Sequence, residues 1–331
     1  MRILSRWAVA VSAAAICLVG TLGSQAVAAD PPIKMTIGTG VDPAFSQFYV
    51  AKADGIFGRN GLDVDIQTGS SGSAMIPLLI GNQIQAAYGS DVAGVIDHNV
   101  DKDIVAVADG TKLVRWLSVV GENIDSLDGL KGKRIGITKG TSGEIFWQAL
   151  VKKFNLNPTN YAIVYNEAPE EIAALERHDI DAFVGWEPWP TRAITSVKGA
   201  RIVIDAAGIL NNRNYVFMNR KWIGANEDAA ERFMRSMVEA TDFIKANPKE
   251  AAPMVAKFLQ MPEALVSELM PKVEYEMSWT DGSLDTIRIC EQQLLAQGKM
   301  KAPLDWNSYV YADLLKKVQP ASVTITQLPP K

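Results

Sequence analysis

From residue 34 onward, short apolar runs alternate with stretches whose apolar positions recur every three to four residues. "KMTIGTG" (34–40) predicts a first strand, and "FSQFYVAKADGIF" (45–57) predicts an amphipathic helix closing near Gly55 and Gly58. "LDVDIQTG" (62–69) alternates with period two and predicts a second strand. "SAMIPLLIG" (73–81) reads as a short helix, since Pro77 is tolerated only near a first turn. "QAAYGS" (85–90), "DVAGVIDHN" (91–99) and "DIVAVAD" (103–109) continue as strand, helix and strand. Such alternation predicts a largely parallel sheet with helices on both faces.

A second unit follows "RWLSVVGEN" (115–123). "KRIGIT" (133–138), "YAIVY" (161–165), "DAFVGW" (181–186), "ARIVID" (200–205) and "NYVFMN" (214–219) predict strands, with helices at 142–154 and 169–178. From Asn226 to Pro320 nearly everything reads as helix, and the last dozen residues read as extended. The two units echo each other. "TGSSGSAMIPLLIGNQIQAAYGS" (68–90) and the stretch from "KGTSGEIFWQAL" to "ERHDIDAFVGWE" (139–187) both place a hydroxyl-rich loop before a helix. Both then end on polar-Ile-polar-Ala at the start of a strand with a late Gly. Two α/β lobes aiming similar loops at one cleft would produce this echo, because ligands of open α/β sheets sit beyond the carboxyl ends of the strands.

"GITKGTSGEIF" (136–146) concentrates glycines and hydroxyls between a strand and a helix. A strand-to-helix turn needs glycine for its bend and Ser or Thr as N-cap. A helix start behind such a loop also offers free N–H groups to an anion.

Composition narrows the function classes. Arg2 and Arg6, the apolar "WAVAVSAAAICLVGTLG" and the small-residue "AVAA" (26–29) predict a secretory leader over 1–29, cleaved after Ala28 or Ala29. Without it, 31 Lys and Arg face 37 Asp and Glu, a net charge of −6 that argues against nucleic acid or an anionic membrane as partner. Cys290 is then the remaining cysteine, so no intramolecular disulfide is expected at an oxidising destination. His98 and His178 are the only histidines, without a thiolate cluster or HExxH pattern, so neither a zinc site nor another cofactor is expected.

The ordered set "FYVAKADGIFGRNGLDVDIQTGSSGSAMIPLLIGNQIQAAYGS", "LKGKRIGITKGT" and "ERHDIDAFVGWEPWPTRA", behind an export leader, resembles the nitrate/sulfonate/taurine-type periplasmic substrate-binding proteins of ABC importers, in the superfamily of thiamine-precursor synthases. The resemblance spans roughly residues 34–220. It implies an α/β type II periplasmic-binding fold: two α/β lobes with a cleft between them, plus C-terminal helices. Lobe one would comprise 30–118 and 216–331, and lobe two 119–215, with crossings near 115–122 and 212–219. It further implies a periplasmic receptor that delivers its ligand to a membrane permease, without implying which ligand. A non-catalytic monomer and a small organic anion (sulfonate, taurine-like or aromatic acid) are the expectations. Relatives of this kind take nitrate, bicarbonate, sulfonates, taurine, aromatic acids or pyrimidines, and the same fold contains desulfinase-like and thiamine-pyrimidine synthase-like enzymes. Those enzymes use a cysteine or a histidine. Here Cys290 falls at an apolar position of a helical pattern and reads as a packing residue, while His98 and His178 read as surface or capping residues.

The cleft candidates follow the loops. Thr141 and Ser142 open a helix, and one of them suffices as a cap. Ser70, Ser71, Gly72 and Ser73 form the mirror loop, which flexible-turn composition alone also explains. Phe45 and Gln47 follow the first strand. Ser90 follows the third, with Asp91 read as N-cap of the next helix. In "GWEPWP" (185–190), Trp186 and Trp189 are candidates for an apolar wall and Glu187 for an amine partner, or else Trp189 packs in the core. Trp116 and Tyr215 lie near the implied crossings. Lys139 is the one cation within these loops, so hydroxyls and neutral N–H groups are expected to recognise the anion.

Overall fold

A computed structural model describes residues 31–329, so the expected leader and its cleavage at Ala28 or Ala29 lie outside the described residues. Eleven strands form two sheets among them: β1 (Ile33–Gly40), β2 (Leu62–Gly69), β3 (Ala86–Ser90), β4 (Ile104–Leu113), β5 (Leu117–Glu122), β6 (Arg134–Ile137), β7 (Ala162–Tyr165), β8 (Ala182–Trp186), β9 (Ala200–Asp205), β10 (Asn212–Asn219) and β11 (Val273–Ser278). The first sheet has the order β11-β4-β10-β3-β1-β2, and the second β7-β6-β8-β5-β9. No helix among the described residues is long and apolar enough to cross a membrane.

Both sheets are mixed, which corrects the expectation of largely parallel ones. β1 runs parallel to β2 and β3, and β6 to β7 and β8. β10 is antiparallel to β3 and β4, β5 to β8 and β9, and β11 to β4. Parallel pairing needs a crossover connection. β5 and β10 instead enter their sheets directly from the other sheet, through residues 114–116 and 206–211. The implied crossings at 115–122 and 212–219 are therefore mostly strand, and all of β10 belongs to the first sheet.

The internal echo is structural. β3 and β8 occupy equivalent places, each beside a parallel strand on one side and an antiparallel strand on the other. Ile84 and Ile180, the isoleucines that precede them, are both fully buried.

Local details depart from the sequence pattern where glycine or proline acts. The helix expected over 45–57 is Ser46–Ala53 followed by a turn at Ile56–Arg59, because Gly55 takes φ 73 between them. The segment Ser73–Asn82 is 3₁₀ rather than α, with Pro77 inside it. β11 interrupts the region read as nearly all helical: Val273, Tyr275 and Met277 point inward in a six-residue alternation too short to stand out between long helices.

The C-terminal helices belong to the first sheet's core. Phe48 meets Phe233 of helix Glu227–Ala246 edge-on at 6.0 Å, and Tyr49 stacks on Phe258 of helix Pro248–Leu259 at 4.5 Å. Each such buried side chain contributes roughly 1.5–3 kcal/mol. Helix Ser46–Ala53, which carries them, starts just after the β1 loop and so fixes that loop in place.

Candidate functional site

One cleft gathers the strand ends of both sheets. Its lining is Asp42 and Phe45 after β1, Ser71, Gly72 and Ser73 after β2, Ser90 at the end of β3, Leu113 at the end of β4, and Asn212 and Asn214 opening β10. Thr141 and Ser142 after β6, Trp186 at the end of β8, and Trp116 on the crossing complete it. The cleft is narrow, with about 310 Å³ of empty space once the part open to solvent is included.

Topology explains the membership. Parallel strands present their carboxyl ends to the cleft. An antiparallel neighbour then presents its beginning: Asn214 lies opposite Ser90, and Leu117 opposite Trp186, which brings Trp116 alongside.

The β2 loop is held by close approach. A Cβ on Gly72 would lie 2.3 Å from the Tyr88 carbonyl oxygen and 2.9 Å from the Phe45 ring. Ser73 shares a 3.1 Å hydrogen bond with Ser90, and Ser71 Oγ accepts from the Ala74 N–H at 3.2 Å.

The β6 loop is built differently. Gly140 has φ 73, and Thr141 is the extended N-cap of helix Ser142–Lys153. Thr141 Oγ1 donates to the Thr138 carbonyl at 2.8 Å instead of capping. The Glu144 and Ile145 N–H groups return to the Thr141 carbonyl, and the Ser142 and Gly143 N–H groups have no acceptor among the described residues. Those two donors open the positive end of a twelve-residue helix. Behind them Glu144 accepts from the Gly140 N–H (2.9 Å), Lys299 Nζ (2.9 Å) and the Tyr165 hydroxyl (3.3 Å). Burial opposes its ionisation, but these partners outweigh burial and hold the carboxyl below its ordinary range.

Asp42 is the ionisable residue in the lining, and no Lys or Arg accompanies it among the described residues. Its Oδ1 accepts from the Ala44 N–H at 2.7 Å. Burial pushes the carboxyl up to about 8, against the pull of that N–H and of the Trp116 indole, with the nearby Glu187 adding to the rise. Trp116 Nε1 is buried and makes no hydrogen bond of normal geometry.

Phe45, Ser71, Ser73, Ser90, Trp116, Thr141, Ser142 and Trp186 thus come together from the sequence candidates; four others do not. Gln47 is buried beneath the cleft, its Nε2 donating to the Gly110 carbonyl at 2.8 Å. Glu187 is occupied: Oε1 pairs with Lys272 at 3.3 Å and Oε2 accepts from the Thr191 N–H at 3.2 Å, while its own N–H donates to the Trp116 carbonyl. Trp189 is buried at the start of helix Trp189–Ser196, beneath the Arg192 guanidinium. Tyr215 is fully buried within β10, its hydroxyl donating to the Ser283 carbonyl at 2.6 Å. An inward-facing strand position one residue from a cleft-facing one carries no separate sequence signal, which is why Tyr215 and Asn214 were confused.

Sequence reasoning missed Asp42, Leu113, Asn212 and Asn214. The asparagines open an antiparallel strand, whereas the search followed parallel strand ends. "VDPAF" after a predicted strand was the available signal for Asp42. Ser90, not Asp91, is the N-cap, and Asp91 caps nothing beyond the Val92 N–H. His98 is not a surface residue: it is buried against Tyr309, Nδ1 sits 2.6 Å from the Ile104 carbonyl, and burial lowers it to about 4. His178 is exposed and pairs with Glu122. No three metal-ligating side chains converge among the described residues.

A putative binding protein of Brucella abortus is 25% identical over 281 residues, covering 80% of this chain and 85% of its own. A putative aliphatic sulfonates-binding protein of Bacillus subtilis is 24% identical over 269 residues, covering 79% and 81%. The alkanesulfonate-binding protein of Xanthomonas axonopodis pv. citri, solved with MOPS bound, shares the fold at TM-score 0.74 and 16% identity, over 85% of this chain and 99% of that one. The two-lobed periplasmic-binding architecture is thus common to them. Residues 42–251, more than half of the chain and all of the cleft lining named above, match the family described as NMT1/THI5 like, and the chain belongs to that family.

Proposed function

We propose that the protein is the periplasmic solute-binding component of an ABC importer, capturing a small organic anion with sulfonates ahead of carboxylates and nitrate. The observation that carries this is the Thr141–Ser142 helix start, with unclaimed N–H groups facing a cleft walled by Phe45, Trp116 and Trp186. Helix starts attract oxyanions, worth roughly 0.3–2 kcal/mol according to burial. Nitrate has no body for an aromatic wall to cover, whereas one buried apolar group adds roughly 1.5–3 kcal/mol. The sulfonate-binding relative supports the same acid group. Export with cleavage after Ala28 or Ala29, a monomeric state and a membrane permease as partner complete the reading.

Catalysis has no part in it. The Cys290 thiol is buried against Val92 and Ile145, and burial pushes it well above its ordinary range, with Asp91 adding to the rise. A nucleophilic cysteine needs the opposite shift. Recovery of unchanged solute, and normal binding by Cys290→Ala, is the expected result; turnover abolished by that substitution would establish an enzyme instead.

Capture closes the lobes about residues 114–116 and 206–211. Lys299–Glu144 and Lys272–Glu187 span the cleft at 2.9 and 3.3 Å, and Gln297 bonds Gln148 beside the first pair. Small-angle scattering is expected to show contraction on binding; identical dimensions with and without saturating solute would refute closure. A thermal-shift screen of sulfonates, carboxylates, amino acids, nitrate and pyrimidines tests the solute class, since ligand at ~100 Kd stabilises by about 2.7 kcal/mol. A shift with nitrate alone would defeat the organic-anion reading.

A further inference from the structure

We propose that the solute is a zwitterion, its oxyanion at the Thr141–Ser142 helix start and its protonated nitrogen against the Asp42 carboxylate; this rests on the solute-binding reading above. Asp42 is the acid that borders the cleft, and it comes from the wall opposite the helix start. One of its oxygens accepts from the Ala44 N–H, and the Trp116 indole N–H lies beside the carboxyl without making a hydrogen bond of normal geometry. Glu187, the acid expected from sequence to meet an amine, is neutralised by Lys272 and held by Thr191. A purely anionic solute would therefore enter a space holding a carboxyl group and no cationic side chain in its lining. Such a solute keeps Asp42 protonated. A solute that brings its own cation ionises Asp42 and gains a charge-assisted hydrogen bond. Phe45, Trp116 and Trp186 border the same space and offer ring faces to that cation.

Proton exchange distinguishes the two cases. With its carboxyl pushed up to about 8, Asp42 is mostly protonated at pH 7, so forming the ion pair expels a proton. The groups facing Asp42 are Tyr49 from helix Ser46–Ala53, Tyr275 from β11, Trp116 from the crossing and Glu187 from the loop after β8, with Lys272 behind Glu187. Burial raises both tyrosines, so they stay neutral across the range.

The test is titration calorimetry at pH 7 in two buffers of different ionisation enthalpy. It compares 2-aminoethanesulfonate with ethanesulfonate, and β-alanine with propionate. The amino member of at least one pair is expected to bind about 10- to 100-fold more tightly than its deaminated partner and to release most of one proton. Asp42→Asn, which keeps the acceptor for the Ala44 N–H, is expected to abolish both the affinity difference within each pair and the proton release. The proton count on the unaltered protein stands even if the variant folds poorly. Equal affinity within both pairs, or no proton release by the amino compounds, would overturn the zwitterion and leave the organic-anion reading intact. Failure of all four acids to bind would defeat both.

Discussion

The two loops that face each other across the cleft look alike in sequence, "TGSSGS" and "TKGTSG", yet they are held by different physics. The β2 loop is fixed by lack of room: Gly72 lies against the Tyr88 carbonyl and the Phe45 ring. The β6 loop is fixed by backbone conformation: Gly140 has a positive φ and nothing within 4 Å of a would-be Cβ. The first is buttressed by a neighbouring strand, and the second by one carboxylate, Glu144, which also reaches Lys299 of the C-terminal region. A small residue therefore reports close packing on one wall and left-handed backbone on the other. The β6 loop is tied through Glu144 to the ion pair with Lys299, so under the closure proposed above it is the wall whose geometry would respond.

The largest effect is expected from Gly72→Ala. Its clash involves a backbone carbonyl that cannot swing away, so unfolding by denaturant should show a loss of about 3 kcal/mol, and solute binding should vanish. Stability equal to the parent's would show that the β2 loop can shift freely and that the contrast is wrong.

Opposite pH dependences of stability come next. Asp42 is raised from 3.8 to about 8, so its contribution is complete below pH 4 and is lost as pH climbs towards 8. Asp91 and Asp97, both raised to about 7 by burial, add to the same alkaline-side loss. Glu144 is lowered, so its contribution is present above its ordinary value of 4.5 and is lost as pH falls through its folded value. Thermal denaturation across pH 3–9 should show Asp42→Asn flattening the alkaline limb and Glu144→Gln flattening the acid limb. Exchange of those two assignments would break the contrast between the walls.

Gly140→Ala should cost about 1–2 kcal/mol through left-handed strain alone, without the loss of binding expected at Gly72. Asn at 140 should recover part of it, because Asn tolerates that region better. The smallest effects belong to the hydroxyls. Ser73→Ala removes the bond to Ser90, and Thr141→Ala the bond to the Thr138 carbonyl. Each should cost about 0.5–1.5 kcal/mol in stability. Only Thr141→Ala should also loosen the helix start, read as weaker oxyanion binding by calorimetry.

Much of the fold was legible because element type follows periodicity, and periodicity is local. The alternation of strands and helices, the hydroxyl loops and the repeated polar-Ile-polar-Ala signature all rest on residues a few positions apart. Strand direction was not legible in the same way. β5 and β10 run antiparallel because they arrive directly from the other sheet, and nothing within "LSVVGE" or "NYVFMN" encodes the strand they meet. The misplacement of Tyr215 beside Asn214, and the failure to see Asn212 at all, follow from that one gap.

The sequence by itself determined that two α/β units would turn Gly/Ser/Thr loops toward a shared space, and that Trp116, Trp186 and the Thr141–Ser142 helix start would be near it. Only the tertiary structure decided which charge belongs to that space. Glu187 and Asp42 both follow strands and both look available on paper. Lys272, far along the chain, neutralises Glu187, while no lysine or arginine among the described residues lines the cleft beside Asp42. Ionisation and availability depend on what is packed within a few ångströms, and neighbours brought together across the sequence are set by the fold, not by the local pattern.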